Sequence, residues 1–290
     1  MTKKVEQTRN PMTANETPSK FNLFSFQGKM KILHLSWIAF FITFMVWFNF
    51  APMLMAVKES LGLTTAEIKT LLILNVAFTI PARVIVGMLT DKYGPRLIYT
   101  GLFAICSIPC FAFAMADTFT QAAIARFALG LIGAGFVVGI RLVSEWFPHN
   151  ELGTAEGIYG GWGNFGAAAA GFILPMLAGV FGGDEGWRYA VACAGIVAII
   201  YAFIFYRFVT NTPKGSTYFT SKKIGAMEVT SRFDLVLYIL MTAPMFIALA
   251  ILTWRLSPAG VSLLSDNFSY GVYVFLGVYF LQQVYKIIQI

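Results

Sequence analysis

Residues 157–171 read Gly-Ile-Tyr-Gly-Gly-Trp-Gly-Asn-Phe-Gly-Ala-Ala-Ala-Ala-Gly and lie in an apolar segment long enough to cross a bilayer. Glycine at this density weakens a helix in water, but in lipid it lets helix backbones approach closely and leaves room for a small ligand. The glycines alone predict a packing seam at Gly153, Gly157 and Gly161. Asn164 adds an amide far from either water face, and a polar side chain at that depth indicates function.

The composition around this stretch is that of a polytopic membrane protein. Of the 290 residues, 58% are hydrophobic and 12% charged, with a mean hydropathy of +0.70. The net charge is +7, but the basic residues are scattered through short connections, which argues against a nucleic-acid partner. The three cysteines lie in apolar segments and there are two histidines, so we expect neither a disulfide framework nor a metal or other cofactor.

Hydropathy predicts an all-α protein with eight membrane spans. The predicted spans are residues 32–57, 68–90, 97–115, 119–143, 154–181, 189–209, 235–254 and 268–288. We divide the chain into a polar tail (1–31), a six-helix unit (32–209), a polar loop (210–234) and two further helices (235–290). With the amino terminus in the cytosol, fifteen of the 21 Lys and Arg residues lie inside and four outside, which favours this orientation in a plasma or inner membrane.

Helical rise places three side chains in one layer. At 1.5 Å per residue, Arg83 lies about 12 Å from the cytosolic turn at Asp91, and Asn164 and Phe136 lie about 15 Å from that face. A guanidinium, an amide and an aromatic ring would therefore meet near the middle of a hydrocarbon core about 30 Å thick.

Arg83 has no carboxylate at its own depth in the predicted six-helix unit. A buried guanidinium without a counter-ion suits a small planar oxyanion, because its donors form a fixed fork. The alternative is that Arg83 is a packing residue whose N–H groups donate to backbone carbonyls or whose side chain extends toward the cytosol. Arg126, nearer the outer face, either reaches outward or pairs across helices, and we assign it a structural or gating role.

Two motifs carry a resemblance to a known family. The turn Gly87-x-x-x-Asp91-Lys92-x-Gly94-Pro95-Arg96, with Arg126 and the glycines after it, resembles the signature loop of the major facilitator superfamily. The run Gly-Gly-Trp-Gly-Asn-Phe-Gly resembles the signature of its nitrate/nitrite porter branch.

The resemblance implies substrate and gating residues. Arg83, Phe136, Asn164 and the adjoining Gly163 would contact the anion, and gating would involve Gly87, Asp91, Gly94, Arg96 and Arg126. It also implies two six-helix halves that rock around a central site.

The predicted function is nitrate and nitrite transport in nitrate assimilation, by exchange or ion-coupled symport. The chain departs from the family pattern because such carriers have about twelve or more spans, and a second Arg and second glycine signature are not found here. We expect a six-helix bundle plus an inserted helix pair, incomplete without a carboxy-terminal half as partner. The alternatives are a facilitator for other organic anions or drugs and a non-transporting membrane interaction module. An enzyme is not predicted, because no nucleophile and base pair, metal cluster or phosphate loop is visible.

Overall fold

The computed structural model of the protein describes residues 21–218 and 232–288, and every regular element in these ranges is helical. The helices are α1 (Gly28–Trp47), α2 (Leu54–Ser60), α3 (Thr65–Tyr93), α4 (Pro95–Ala114), α5 (Phe119–Leu129), α6 (Gly135–Trp146), α7 (His149–Phe181), α8 (Gly186–Phe208), α9 (Arg232–Leu256) and α10 (Asp266–Ile288), with 3₁₀ segments at Ala51–Met53 and Gly130–Ala134. The prediction of an all-α fold is confirmed.

Eight stretches in the described part of the chain are long and apolar enough to cross a membrane, as predicted. The first begins at Gly28, four residues before the predicted start, so Lys29 belongs to a helix and bonds Glu151 of α7 at 2.6 Å. Most of the predicted tail, and residues 219–231 of the predicted loop, lie outside the described residues.

Local sequence sets the helix ends. Thr64 caps α3 in a capping box with Glu67: the Thr64 hydroxyl accepts from the Glu67 N–H at 3.3 Å, and the Glu67 carboxylate accepts from the Thr64 N–H at 2.8 Å. Gly94 both ends α3 and begins α4, and its φ of +85° is a conformation that favours glycine. This single residue makes the tight turn between the second and third spans.

The first six spans share one apolar core. Within it α1 packs along α7, α4 packs along α8, and α3 lies against the fourth span, with buried rings such as Phe40, Tyr99 and Phe103 between them. The last two helices pack on each other through Phe246, whose ring centroid is 5.1 Å from that of Phe280. Arg255 at the end of α9 donates to the Ala66 carbonyl of α3 at 3.2 Å. The division into a six-helix unit and an extra pair stays a prediction.

Two spans are interrupted. The first leaves α-helical geometry after Trp47 and resumes as α2, and the fourth changes to a 3₁₀ helix over Gly130–Ala134 between α5 and α6. A carbonyl at each interruption, of Trp47 in the first and of Gly130 in the second, accepts a hydrogen bond from a side chain of α3.

The end of the bundle opposite the Asp91 turn is held by Arg188. Its guanidinium donates to the carbonyls of Ala114 (3.0 Å) and Ala116 (2.6 Å) and pairs with Asp117 (3.2 Å) and Glu185. Hydrogen bonding from Arg188, then from Ser60, holds the pKa of Glu185 below its usual value. These contacts tie the third, fourth and sixth spans together.

Candidate anion site

Arg83 lies half-buried in α3, and its described contacts are a carbonyl and a ring. Its Nε donates to the Gly133 carbonyl at 3.4 Å, and its Cζ lies 5.5 Å from the centroid of the Phe136 ring. None of the ion pairs found among the described residues includes Arg83. Two of the residues placed together by depth, Arg83 and Phe136, are therefore in contact.

Phe136 belongs to an aromatic cluster that also contains Phe40 and Tyr159. The Phe40 centroid is 5.3 Å from that of Phe136 and 4.9 Å from that of Tyr159. The Tyr159 hydroxyl donates to the carbonyls of Gly135 (3.2 Å) and Phe136 (3.1 Å). Sequence reasoning missed Tyr159, although it lies within the glycine-rich stretch, because nothing local indicates that its hydroxyl reaches another helix.

Gly163 of α7 packs against this cluster. It is buried, and a methyl group on its Cα would overlap the Phe40 ring, with 2.6 Å to Cε1 and shorter separations to two other ring atoms. Gly166, one turn later, packs against the backbone of Phe41 in the same way. Gly163 therefore lies at the contact between the first and fifth spans, under the ring cluster that supports Arg83.

Asn164 points away from this contact. It is exposed, and its Nδ2 donates to the Gly160 carbonyl of its own helix at 2.7 Å. The hydrogen bonds described for Asn164 do not connect it to Arg83 or Phe136. Of the four predicted anion contacts, the structure joins Arg83 and Phe136, places Gly163 under the ring cluster and places Asn164 on the open face of α7.

The predicted glycine seam does not form among the described helices. A methyl group at Gly153, Gly157 or Gly161 would meet no atom of residues 21–218 or 232–288 within 4 Å, so these glycines line an open face. The close approach between helices uses Gly163 and Gly166 instead. The two sets occupy different sides of α7, and a four-residue repeat in the sequence does not say which side faces a neighbour.

Four of the five predicted gating residues, Gly87, Asp91, Gly94 and Arg96, lie at or near the turn between α3 and α4. Asp91 accepts from Arg141 Nε at 3.2 Å, and Arg141 Nη2 also bonds Glu145 at 2.8 Å, so α3 and α6 are joined by charge. At Gly87, no atom of the described part of the chain lies within 4 Å of where a methyl group would project. The sequence prediction counted Arg141 only as a cytosolic cation and missed this pairing.

The segment after α8 covers the turn. The Asn211 side-chain oxygen accepts from the Arg96 N–H at 2.8 Å, and its amide fills the space where a side chain at Gly94 would lie. Arg96 Nε donates to the Tyr206 carbonyl at 2.9 Å.

Tyr218 reaches the same turn from further along this segment. Its hydroxyl donates to the Thr90 carbonyl at 2.8 Å, and its ring lies 5.4 Å from the Arg141 Cζ. Burial raises the pKa of Tyr218, so its phenol keeps the proton that it donates.

Arg126 is buried and pairs across helices. Nη1 donates to the Asn49 side chain at 2.7 Å and Nη2 to the Trp47 carbonyl at 3.4 Å, while the Phe50 and Phe113 ring centroids lie 5.1 and 5.4 Å from Cζ. Arg126 therefore caps the end of α1 and does not reach outward. Among the residues described, no group of three or more His, Cys, Asp or Glu could hold a metal ion.

Comparison with known proteins shows the class of this chain. A profile described as Major Facilitator Superfamily matches residues 36–288, and the chain belongs to that superfamily. A solved structure, of a bacterial homolog to the human lysosomal transporter Spinster in an inward-facing and unoccupied conformation, aligns with a TM-score of 0.57 over 77% of this chain and 51% of that chain. Its 17% identity supports the shared fold alone.

Three sequence relatives carry names of nitrate/nitrite carriers, the branch whose signature the glycine-rich run resembles. The nitrate/nitrite transporter NrtP of Nostoc punctiforme is 46% identical over 92% of this chain and 54% of its own length. The NrtP of a Picosynechococcus species is 42% identical over 90% of this chain and 53% of its own length. A probable nitrate/nitrite antiporter NarK1 of Thermus thermophilus is 30% identical over 61% of this chain and 41% of its own length. The chain spans about half the length of the curated relatives it matches.

Proposed function

We propose that this chain supplies the anion-binding half of a nitrate and nitrite carrier that works by exchange or ion-coupled symport. The observation that carries the proposal is the half-buried Arg83 guanidinium, whose described contacts are the Gly133 carbonyl and the Phe136 ring. A guanidinium at membrane depth costs at least about 2.5 kcal/mol even on the lenient insertion scale, and an anion bound beside it offsets that cost.

The chemistry of Arg83 suits a small planar oxyanion. Its Nε is directed at Gly133, which leaves the N–H groups of Nη1 and Nη2 for two oxygens of nitrate or nitrite. The Phe136 ring lies within the about 6 Å over which an aromatic face attracts a cation, so it fixes one face of the guanidinium. Such a fork gives a bulky anion no hydrogen bond that a small anion does not also form.

A second six-helix unit would complete the site. Of the most apolar window of the first span 61% is buried, but only 22% of that of the fifth. The open side of α7 carries Asn164, Trp162 and glycines at which a methyl group would meet no described atom within 4 Å. An unpaired apolar face of this kind fits the rocking of two halves around a central site. Asn164 would then contact the anion from the open face of α7.

The remaining assignments belong to the same proposal. Gly163 would act by letting Phe40 support Phe136, and Gly87, Asp91, Gly94 and Arg96 would control the closing of the cytosolic end. The excess of Lys and Arg on the side of the Asp91 turn supports a cytosolic amino terminus in a plasma or inner membrane.

The test is uptake of ¹⁵N-nitrate by cells that express the full reading frame encoding this chain. Arg83→Lys keeps the charge but loses the fork, so we expect the KM for nitrate to rise about tenfold or more, as for the loss of a charge-assisted hydrogen bond. Arg207→Lys is the matched control, because Arg207 lies at the end of α8 beside Phe208, and should leave uptake unchanged.

The alternatives predict different results. A facilitator for organic anions or drugs predicts that bulky anions compete with nitrate and that Asn164→Ala has no effect. A membrane interaction module predicts no uptake that depends on Arg83. Unchanged nitrate uptake in Arg83→Lys would refute the proposal.

A further inference from the structure

Three polar side chains form a stripe on α3. Asn75, Thr79 and Arg83 are spaced four residues apart and therefore share one face of the helix. Each donates to a backbone carbonyl of an interrupted span: Asn75 to Trp47 at 2.9 Å, Thr79 to Gly130 at 2.6 Å and Arg83 to Gly133 at 3.4 Å. The stripe connects α3 to the points where its neighbours leave α-helical geometry.

The contact between Thr79 and the 3₁₀ segment is the tightest of the three. The Thr79 hydroxyl lies 2.6 Å from the Gly130 carbonyl and 3.0 Å from that of Asn75 in its own helix, so the bond between helices is the shorter. A methyl group at Gly133 would lie 2.7 and 2.8 Å from Thr79 side-chain atoms. Glycine at position 133 is thus what lets the two backbones meet at Thr79.

This contact fixes the register on which the Arg83 geometry depends. Thr79 and Arg83 are about one α-helical turn apart, and Gly130 and Gly133 are one 3₁₀ turn of about three residues apart. A bond between Thr79 and Gly130 therefore brings the Gly133 carbonyl to Arg83. Phe136, three residues further, then meets the guanidinium with its ring.

We propose that Thr79 is a positioning residue for the Arg83 guanidinium: its bond to Gly130 sets the 3₁₀ segment so that Gly133 and Phe136 hold Arg83 with Nη1 and Nη2 free for a planar oxyanion. The proposal rests on the proposed function of Arg83. Positioning of this kind raises affinity because the guanidinium does not have to be ordered when the anion binds.

The test measures the dissociation constant for nitrate with the purified product of the full reading frame. Thr79→Val removes the hydroxyl and keeps the branched shape, and we expect binding to weaken about five- to tenfold, the range for one buried hydrogen bond. Thr79→Ser restores the hydroxyl and should bind nitrate within about twofold of the wild type.

Thr70→Val is the matched control. Thr70 is equally buried in α3, but its described hydrogen bond goes to the Ala66 carbonyl of its own helix, so its loss should leave nitrate binding unchanged. If Thr79→Val does not fold, Thr79→Ala gives the same comparison without a misplaced methyl group.

A double-mutant cycle separates positioning from general packing. If Thr79 acts through Arg83, Thr79→Val should add less than about twofold once Arg83→Lys is present. Two results would overturn the positioning role alone. One is an equal effect of Thr79→Val with Arg83 and with Arg83→Lys; the other is wild-type affinity in Thr79→Val while Arg83→Lys loses binding. Wild-type affinity in Arg83→Lys would instead overturn the proposed function.

Discussion

Gly163→Ala tests how α7 supports the anion site. The added methyl group would overlap the ring of Phe40, which is 1% exposed, stacks on Tyr159 and packs at a tilt against Phe136. The ring has no free space to enter, so α7 must retreat or the cluster must shift. Overpacking of this kind costs about 1–3 kcal/mol, against which alanine recovers up to about 1 kcal/mol of helix propensity. We expect a net loss of about 1–2 kcal/mol.

The assay is unfolding of the purified protein in detergent, with two comparison variants. Gly160→Ala lies on the same helix, and its methyl group would have no described atom within 4 Å, so the variant should be neutral or stabilising. Phe40→Leu, added to Gly163→Ala, removes the overlapping ring atoms and should recover part of the loss. If Gly163→Ala and Gly160→Ala were equally stable, the close contact between α1 and α7 would be refuted.

Two other predictions concern the ends of the bundle. Asn211→Ala should speed hydrogen exchange of the Arg96 amide about fivefold, because the amide loses its acceptor. Thr212→Ala should leave this exchange unchanged, since the described bond of Thr212 stays within its own segment. Equal protection of the Arg96 amide in both variants would contradict a capping role for Asn211. Because the pKa of Glu185 is depressed in the folded protein, its contribution to stability is present above the usual value of 4.5 and is lost as pH falls below it. Thermal unfolding scans from pH 6 to pH 3.5 should therefore show a smaller decline for Glu185→Gln than for the wild type, and equal declines would contradict the contact with Arg188.

The sequence predicted what depends on length and depth along a helix. Hydropathy placed all eight spans. Helical rise brought Arg83 and Phe136 to one layer, where the structure shows them in contact.

Depth does not determine direction around the helix. Gly163 and Asn164 are neighbours at one depth, yet about 100° of helical rotation turns the first to Phe40 and the second to the open face. The same limit explains why Gly153, Gly157 and Gly161 were assigned to a seam that the structure does not form.

Long-range partners were also beyond the sequence. Neither the 3₁₀ segment at Gly130–Ala134 nor its bond to Thr79 has a signal in hydropathy, because the span reads as continuous apolar helix. Asn211 and Tyr218 reach the Asp91 turn from a polar segment more than a hundred residues further along the chain. Such contacts follow from how the helices pack.

The central claim, that the Arg83 guanidinium binds a small oxyanion, is tested most directly by chemical protection. Membranes that contain the product of the full reading frame are treated with an arginine-specific dicarbonyl reagent with and without nitrate, and modification of Arg83 is quantified by peptide mass spectrometry. We predict that nitrate slows modification of Arg83 and leaves that of Arg207 unchanged, and that a bulky organic anion does not protect. Modification of Arg83 at one rate with and without saturating nitrate would contradict the account.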